Sequence, residues 1–273
     1  MDDRFRQLPS ALRQRSRWMR LGGVPTLLAT PDSEKPAPFV VWMHGRTADK
    51  ELDPGRYLRW IRAGIAAVSL DLPGHGEREG PRLHGAESTP RVLSQMIDEV
   101  DSVLGALRES PGAALLDFDR VGIGGMSAGG MVTLRRLCDE HRFACAAVES
   151  TTGWLRELYQ PSVGGPSAWP ASHDPKSIDR IDPRQRLDTF RPVPLLVLHS
   201  ESDVTVPWPG MQAFLAALGD RYEHAGVSRD LIEVQTWPET GAPYEHAGFG
   251  RVASQAKTMQ TEFLTRHLLG NRS

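Results

Sequence analysis

Short runs of consecutive apolar, largely β-branched residues recur at 17–21, 25–30, 39–43, 65–70, 120–124, 145–148, 194–198 and 231–236. Longer stretches at 54–63, 90–109, 128–142, 211–224 and 252–269 carry apolar residues three or four positions apart instead. Unbroken apolar runs suit strands buried on both faces, and spacing near 3.6 suits helices with one buried face. Alternation of the two predicts an α/β fold, a mostly parallel eight-stranded sheet with helices on both faces. Gly22-Gly23 separates the first two runs, a two-residue hairpin signal that makes the N-terminal pair antiparallel.

Two stretches break this rhythm. Residues 74–89 are polar and Gly-rich, with His75 and His84, while 151–192 is a long connection punctuated by Pro161, Pro166, Pro170, Pro175, Pro183 and Pro192. Connections beyond about 12–15 residues are usually functional covers or disordered. Trp154, Tyr159 and Trp169 favour a cover, because disordered linkers are poor in large aromatics; simple packing of an excursion over the sheet edge is the alternative. With no second core, linker or repeat period, the expectation is one domain, 1–273, with a lid at about 151–192, and Trp154 and Tyr159 as substrate contacts.

Composition narrows the function. The 273 residues, 40% hydrophobic and 24% charged, can bury a large core. Their 32 basic and 34 acidic side chains leave a formal charge of −2 with no basic block, which argues against nucleic acid and anionic membrane as partners. No apolar run approaches the roughly 18 residues of a spanning helix, and Met1-Asp2-Asp3-Arg4-Phe5-Arg6 lacks a signal peptide's apolar stretch. A soluble, cytoplasmic protein is expected. Cys138 and Cys145 cannot build a disulfide framework or a four-ligand zinc site and read as core thiols, so no metal is expected.

Candidate chemistry begins at Gly124-Gly125-Met126-Ser127-Ala128-Gly129-Gly130, where a predicted strand runs into a predicted helix and residues 125–129 spell G-x-S-x-G. Small residues are required where the chain turns so sharply, and the turn lifts the Ser127 hydroxyl above the strand ends. The next amide, that of Ala128, then lies at a helix N-terminus and can donate to a developing oxyanion. The rival reading of the same glycines is a dinucleotide-binding turn, Gly122-x-Gly124-x-x-Ser127, with Glu149 as the ribose-binding acid. It lacks the third glycine and follows four strands rather than opening a βαβ unit.

A serine hydroxyl needs a base, and the base a buried acceptor to orient it. His199-Ser200-Glu201-Ser202-Asp203 follows the seventh strand and supplies a carboxylate, Asp203 first and Glu201 second. Among nine histidines, two lie in identical pentapeptides, Tyr222-Glu223-His224-Ala225-Gly226 and Tyr244-Glu245-His246-Ala247-Gly248. His224 ends a helix ahead of the last strand, at the wrong edge of the sheet; His246 follows that strand and is the predicted base. After the third strand, His44-Gly45-Arg46-Thr47 forms a turn whose amide, Arg46 first and Thr47 second, is the second oxyanion donor, with His44 holding the loop. The Arg46 side chain either points outward or meets an anionic substrate.

With His44-Gly45 and Lys50-Glu51, Asp71-x-Pro73-x-His75-Gly76-x-Arg78, the serine elbow, Asp203-x-x-Val206-Pro207 and the late His246, the chain resembles the α/β-hydrolase superfamily over about residues 36–269. More narrowly it is similar to the single-domain serine esterases grouped with dienelactone hydrolases and the catalytic domain of prolyl oligopeptidases. The resemblance implies an α/β-hydrolase fold, Ser127 as nucleophile, Asp203 as acid, His246 as base, support of the oxyanion loop from residues 71–78, and no metal or organic cofactor. Dienelactone hydrolases proper carry cysteine at the elbow, so that substrate is not implied. Prolyl oligopeptidases carry a propeller domain for which 273 residues leave no room, which sets peptidase activity behind esterase activity. Ser200 stands where glycine often follows the histidine, adding a hydroxyl near the site. The expected activity is hydrolysis of small-molecule carboxylic esters of small acyl groups. A thioesterase or lactonase with the same residues, or a binding protein on the same fold, is the alternative, and homo-oligomerisation is left open.

Overall fold

The computed structural model describes residues 8–161, 169 and 173–270. The N-terminal residues 1–6 and, in the expected lid, Pro166 and Pro170 lie outside the described residues. Eight strands form one sheet: β1 Ser16–Leu21, β2 Val24–Ala29, β3 Ala37–Met43, β4 Ala66–Leu70, β5 Leu116–Met126, β6 Cys145–Glu149, β7 Leu195–Ser200 and β8 Ile232–Trp237. Their order is β1-β2-β4-β3-β5-β6-β7-β8. β2 runs antiparallel to both neighbours, and the remaining pairs are parallel. The β1–β2 hairpin closes on Leu21 opposite Val24, with Gly22 and Gly23 at φ 56° and 85°, as the two-residue signal requires.

Among the described residues, eight α-helices accompany the strands: α1 Ser10–Arg13, α2 Pro54–Arg62, α3 Thr89–Arg108, α4 Ala128–Arg136, α5 Leu155–Tyr159, α6 Pro175–Ile181, α7 Trp208–His224 and α8 Ala253–Leu268. Strands β2, β3, β4, β6 and β7 are buried along their whole length and feed two cores, whereas the edge strands β1 and β8 are buried only in part. Phe39, Val41 and Met43 pack beneath α3, α4 and α7, whereas Val40 and Trp42 face α1, α2 and α8. A period of two along each strand therefore divides its side chains between helical layers. On α3, Val92, Leu93, Met96, Ile97, Val100, Val103 and Leu107 make the buried stripe that the spacing predicts.

The helix predicted over 128–142 ends earlier than its pattern suggests, at Arg136. Leu137, Cys138 and Phe143 stay buried, which prolongs the apolar rhythm. Carbonyls beyond the helix are taken by other partners: Arg191 N–H donates to Leu137 O at 3.0 Å and the Arg136 guanidinium to Glu140 O at 2.9 Å. Within 151–192, α5, α6 and a 3-10 turn at Pro183–Arg186 are ordered, and Leu155, Leu158, Tyr159, Trp169, Ile178, Ile181 and Phe190 join the same core as α3 and α4. Cys138 and Cys145 are free and buried, and burial pushes both thiols up to about 12. No described helix is long and apolar enough to cross a membrane.

The chain leaves β3 towards β4 on one side and returns to β5 on the other, so strand order reverses between β3 and β5. In open α/β sheets the crevice beyond the carboxyl ends of strands at such a reversal is where ligands bind.

Candidate active site

Ser127 follows β5 at that crevice, with φ 51° and ψ −117°, a strained conformation for a residue with a side chain. Neighbouring groups enforce it. Ser127 N–H donates to Glu149 O at 2.8 Å, and Thr151 Oγ1–H donates to Ser127 O at 2.7 Å. A Cβ on Gly125 would run into the Gly129 backbone, and one on Gly129 into the Met43 carbonyl. The three elements β3, β5 and α4 thus meet at van der Waals distance only because both positions are glycine. Ser127 is 5% exposed, its hydroxyl held at the surface of the crevice rather than in the core.

Asp203 lies in the turn after β7 and His246 in the loop after β8. His246 Nδ1–H donates to Asp203 Oδ2 at 2.7 Å, which leaves Nε2 with a lone pair that accepts from Ser127 Oγ at 2.9 Å. The other Asp203 oxygen accepts from the amides of Thr205 and Val206, both at 2.8 Å. His199, buried beneath, donates Nε2–H to Val206 O at 2.9 Å; burial lowers its pKa, so it stays neutral beside Asp203 and does not compete as a cation. Such a relay can move a proton from the hydroxyl to the ring and stabilise the resulting imidazolium. Glu201, the second candidate acid, accepts from Thr236 Oγ1–H at the exposed rim. His224 is the exposed last residue of α7, with Nδ1–H donating to Asp220 O at 2.7 Å.

Across the crevice, Gly45 lies so close to the elbow that a Cβ there would sit 3.3 Å from Ser127 Cβ. Ala128 is the first residue of α4, so its N–H has no intrahelical acceptor. His44 fastens this loop: Nδ1–H donates to Gly45 O at 2.6 Å and Nε2 accepts from Leu72 N–H at 3.1 Å, while burial keeps the ring neutral. Asp71, wholly buried, accepts from Lys50 N–H at 2.8 Å, Lys50 Nζ at 3.1 Å and Glu77 N–H at 2.8 Å, joining the loop to residues 71–78. The Arg46 guanidinium donates to Thr89 Oγ1 and His84 O and lies 5.4 Å above the Trp169 ring. It is therefore tied to His84 and Thr89 and packed against Trp169 of the cover rather than pointing freely outward. Thr47 is exposed at φ 63°.

Of the aromatics in the cover, Tyr159 packs edge-on against Trp169 at 5.6 Å, and Trp169 Nε1–H donates to Thr205 O at 2.9 Å, next to the Asp203 turn. Trp154 stacks under the Arg184 guanidinium at 4.6 Å and against the main core.

Glu149 excludes the dinucleotide alternative. Its carboxylate is 1% exposed and is taken by Arg56 at 2.5 and 2.8 Å and by Gln260 at 2.7 Å, so it cannot hold a ribose. This buried network was not foreseen from the sequence, and neither was Glu245. Both residues sit where local pattern is silent, one at a strand end and one inside a duplicated pentapeptide. Among the described residues no cluster of His, Cys, Asp and Glu is arranged to hold a metal ion.

Residues 97–268 match the model of the prolyl oligopeptidase family, a span that contains Ser127, Asp203 and His246. The chain belongs to the prolyl oligopeptidase family. That family is one of hydrolases, and its fold here is the α/β-hydrolase fold. The chain is also similar to the esterase YjfP of Escherichia coli K12, 26% identical over 257 residues that cover 91% of this chain and 97% of that protein. TT1662 from Thermus thermophilus superposes with a TM-score of 0.69 at 24% identity, covering 93% of this chain and 98% of that one. Acylaminoacyl peptidase from Pyrococcus horikoshii gives 0.70 at 18% identity over 94% of this chain but 42% of its own, so this prolyl oligopeptidase family member matches a part of that enzyme.

Proposed function

We propose that the protein is a serine esterase that cleaves carboxylic esters of small acyl groups through an acyl-enzyme. Ser127 is the nucleophile, His246 the base and then the acid, and Asp203 the orienting carboxylate. The amides of Ala128 and Arg46 receive the oxyanion. Trp154 and Tyr159 contact the substrate on its acyl side. The observation that carries this reading is the unbroken line from Ser127 Oγ through the His246 ring to Asp203, with hydrogen bonds of 2.9 and 2.7 Å. Likeness to an esterase over nearly the whole chain supports it further.

In the reaction, His246 Nε2 takes the Ser127 proton as Oγ bonds to the ester carbonyl carbon, and the negative carbonyl oxygen is held by two N–H donors. Collapse breaks the C–O bond to the alcohol, which leaves with the proton from His246. Water then repeats the sequence, giving the carboxylic acid and free Ser127. The enzyme works in the cytoplasm on diffusible esters, as a single domain whose residues 151–192 cover the acyl side, without nucleic acid, membrane or cofactor.

The family match favours one second reading, cleavage of peptide amides by the same residues. A panel of p-nitrophenyl esters from acetyl to dodecanoyl, with a thioester, a lactone and peptide p-nitroanilides, separates them. Acetyl to butyryl esters are expected to turn over fastest, and Ser127→Ala to lower that rate by at least about three orders of magnitude. Anilides cleaved faster than esters would establish a peptidase, and a rate rising steadily with chain length would establish a long acyl tunnel.

A further inference from the structure

The relay needs His246 at a fixed height over Ser127, yet the residue stands on an irregular loop. Tyr244 and Glu245, the two residues before it, adopt left-handed backbone at φ 56° and 51°. Such conformations are costly for non-glycine residues, and persist only where surrounding contacts impose them. Backbone bonds such as Val204 N–H to Tyr244 O at 3.3 Å and Glu245 N–H to Ala242 O at 2.9 Å hold part of the loop, and four side-chain contacts converge on one carboxylate. Glu245 Oε2 accepts from Thr240 N–H at 2.6 Å, Thr240 Oγ1 at 2.7 Å and Ser200 Oγ at 2.8 Å, and Oε1 accepts from Gly241 N–H at 2.7 Å. Ser200 is the last residue of β7, and its carbonyl accepts from Asp203 N–H at 3.2 Å. One carboxylate therefore grips both the strand end that carries the acid and the loop that carries the base.

We propose that Glu245 is a positioning residue. Its carboxylate, clamped by Ser200, Thr240 and Gly241, sets the place of the His246 ring between Asp203 and Ser127. This rests on the reading of Ser127, His246 and Asp203 given above. The second copy of the pentapeptide shows the same residues without the clamp: Glu223 makes an exposed ion pair with Arg229 at 3.0 Å, on a regular helix. The donors around Glu245, the Thr240 amide first among them, hold its carboxyl down at about 2, so the clamp stays charged throughout the neutral range.

The test uses the full chain with Glu245→Ala, Ser200→Ala, the double variant, and Glu223→Ala as the matched control, with Ser127→Ala alongside. Three quantities are read: kcat and KM for p-nitrophenyl butyrate, the rate at which diethyl p-nitrophenyl phosphate phosphorylates Ser127, and the far-downfield proton NMR signal of the His246–Asp203 hydrogen bond. Displacing a reacting group by about 1 Å costs roughly 100-fold. Glu245→Ala is expected to lower kcat and phosphorylation about 10- to 100-fold, with KM within about twofold, and to weaken the proton signal. Ser200→Ala loses less and adds nothing in the Glu245→Ala background, since both remove one coupled contact, and Glu223→Ala matches wild type. If circular dichroism shows Glu245→Ala unfolded, Glu245→Gln, which keeps the shape and one acceptor oxygen, is read the same way. Wild-type kcat and phosphorylation in the folded variant, with Ser127→Ala inactive, would overturn the clamp and leave the relay standing. A loss confined to KM would also overturn it. An active Ser127→Ala would instead sink the relay, and the clamp with it.

Discussion

A free serine hydroxyl is barely nucleophilic at neutral pH, and Ser127 differs from other serines of this chain only in what surrounds it. Its backbone strain is held by Glu149 O and Thr151 Oγ1, and its proton is offered to a ring that Asp203 fixes in one tautomer. His246→Ala is therefore expected to abolish acylation, while His224→Ala leaves turnover and thermal stability near wild type, measured by ester hydrolysis and calorimetry. The reverse result would place the last strand on the wrong side of the base. That choice was legible in the sequence because chain order places a loop after a parallel strand at the carboxyl edge, whatever its local residues. Glu245 was not legible. In one copy of Tyr-Glu-His-Ala-Gly the tyrosine is buried, its hydroxyl donating to Val193 O at 2.7 Å, and in the other Tyr244 is 76% exposed. Five identical residues adopt two conformations because partners distant in sequence decide between them.

At the level of elements, the loop after β3, proposed to hold the oxyanion, depends on a buried carboxylate, Asp71. Asp71→Ala strips acceptors from the buried Lys50 amide, from the half-buried Glu77 amide and from Lys50 Nζ, which is left with Glu77 as its carboxylate partner. Breaking a buried pair in this way costs about 3–5 kcal/mol, so chemical denaturation should show a loss of that size. A loss below about 1 kcal/mol would mean the loop is held by other contacts. The cover carries a pH dependence of its own. Asp182, a buried residue of the cover itself, accepts from the amides of Arg156 and Arg184 at 2.9 and 3.0 Å, yet burial outweighs these bonds and raises its carboxyl to about 6. A folded value above the unfolded one near 3.9 means the contribution to stability is complete below about 3.9 and is lost as pH rises through about 6. Amide exchange in α5 should accordingly be slower at pH 5 than at pH 7.5, after correction for intrinsic rates, and Asp182→Asn should shrink the difference. An unchanged difference in the variant would assign it to another group. The cover's existence was legible from its length and prolines, whereas its helices were not, being short, proline-bounded and fixed by contact with α3 and α4. The early end of α4 escaped for a related reason, since buried residues after Arg136 keep an apolar rhythm without keeping helical hydrogen bonds.

Across the whole molecule, sheet order explains why chemistry gathers at one place. The reversal between β3 and β5 opens a crevice; β5 brings Ser127, β3 the loop at residues 44–47, and β7 and β8 bring Asp203 and His246 to the same edge. Far from that edge in sequence, Arg56 of α2 and Gln260 of α8 close on Glu149 at the end of β6, whose carbonyl accepts the Ser127 amide. The nucleophile's backbone is thereby anchored to the helical layer on the opposite face from α4. The parallel sheet, the hairpin and the elbow follow from periodicity and turn residues, which act locally; the Arg56–Glu149–Gln260 network joins three distant segments, and no local pattern announces it. The central claim is that this architecture makes Ser127 the one activated hydroxyl, and mass spectrometry of peptides from protein treated with an organophosphonate tests it most directly. The expected result is a single adduct on the peptide containing Ser127, absent from Ser127→Ala and formed far more slowly in His246→Ala. An adduct on any other residue, or undiminished labelling of Ser127→Ala, would contradict it.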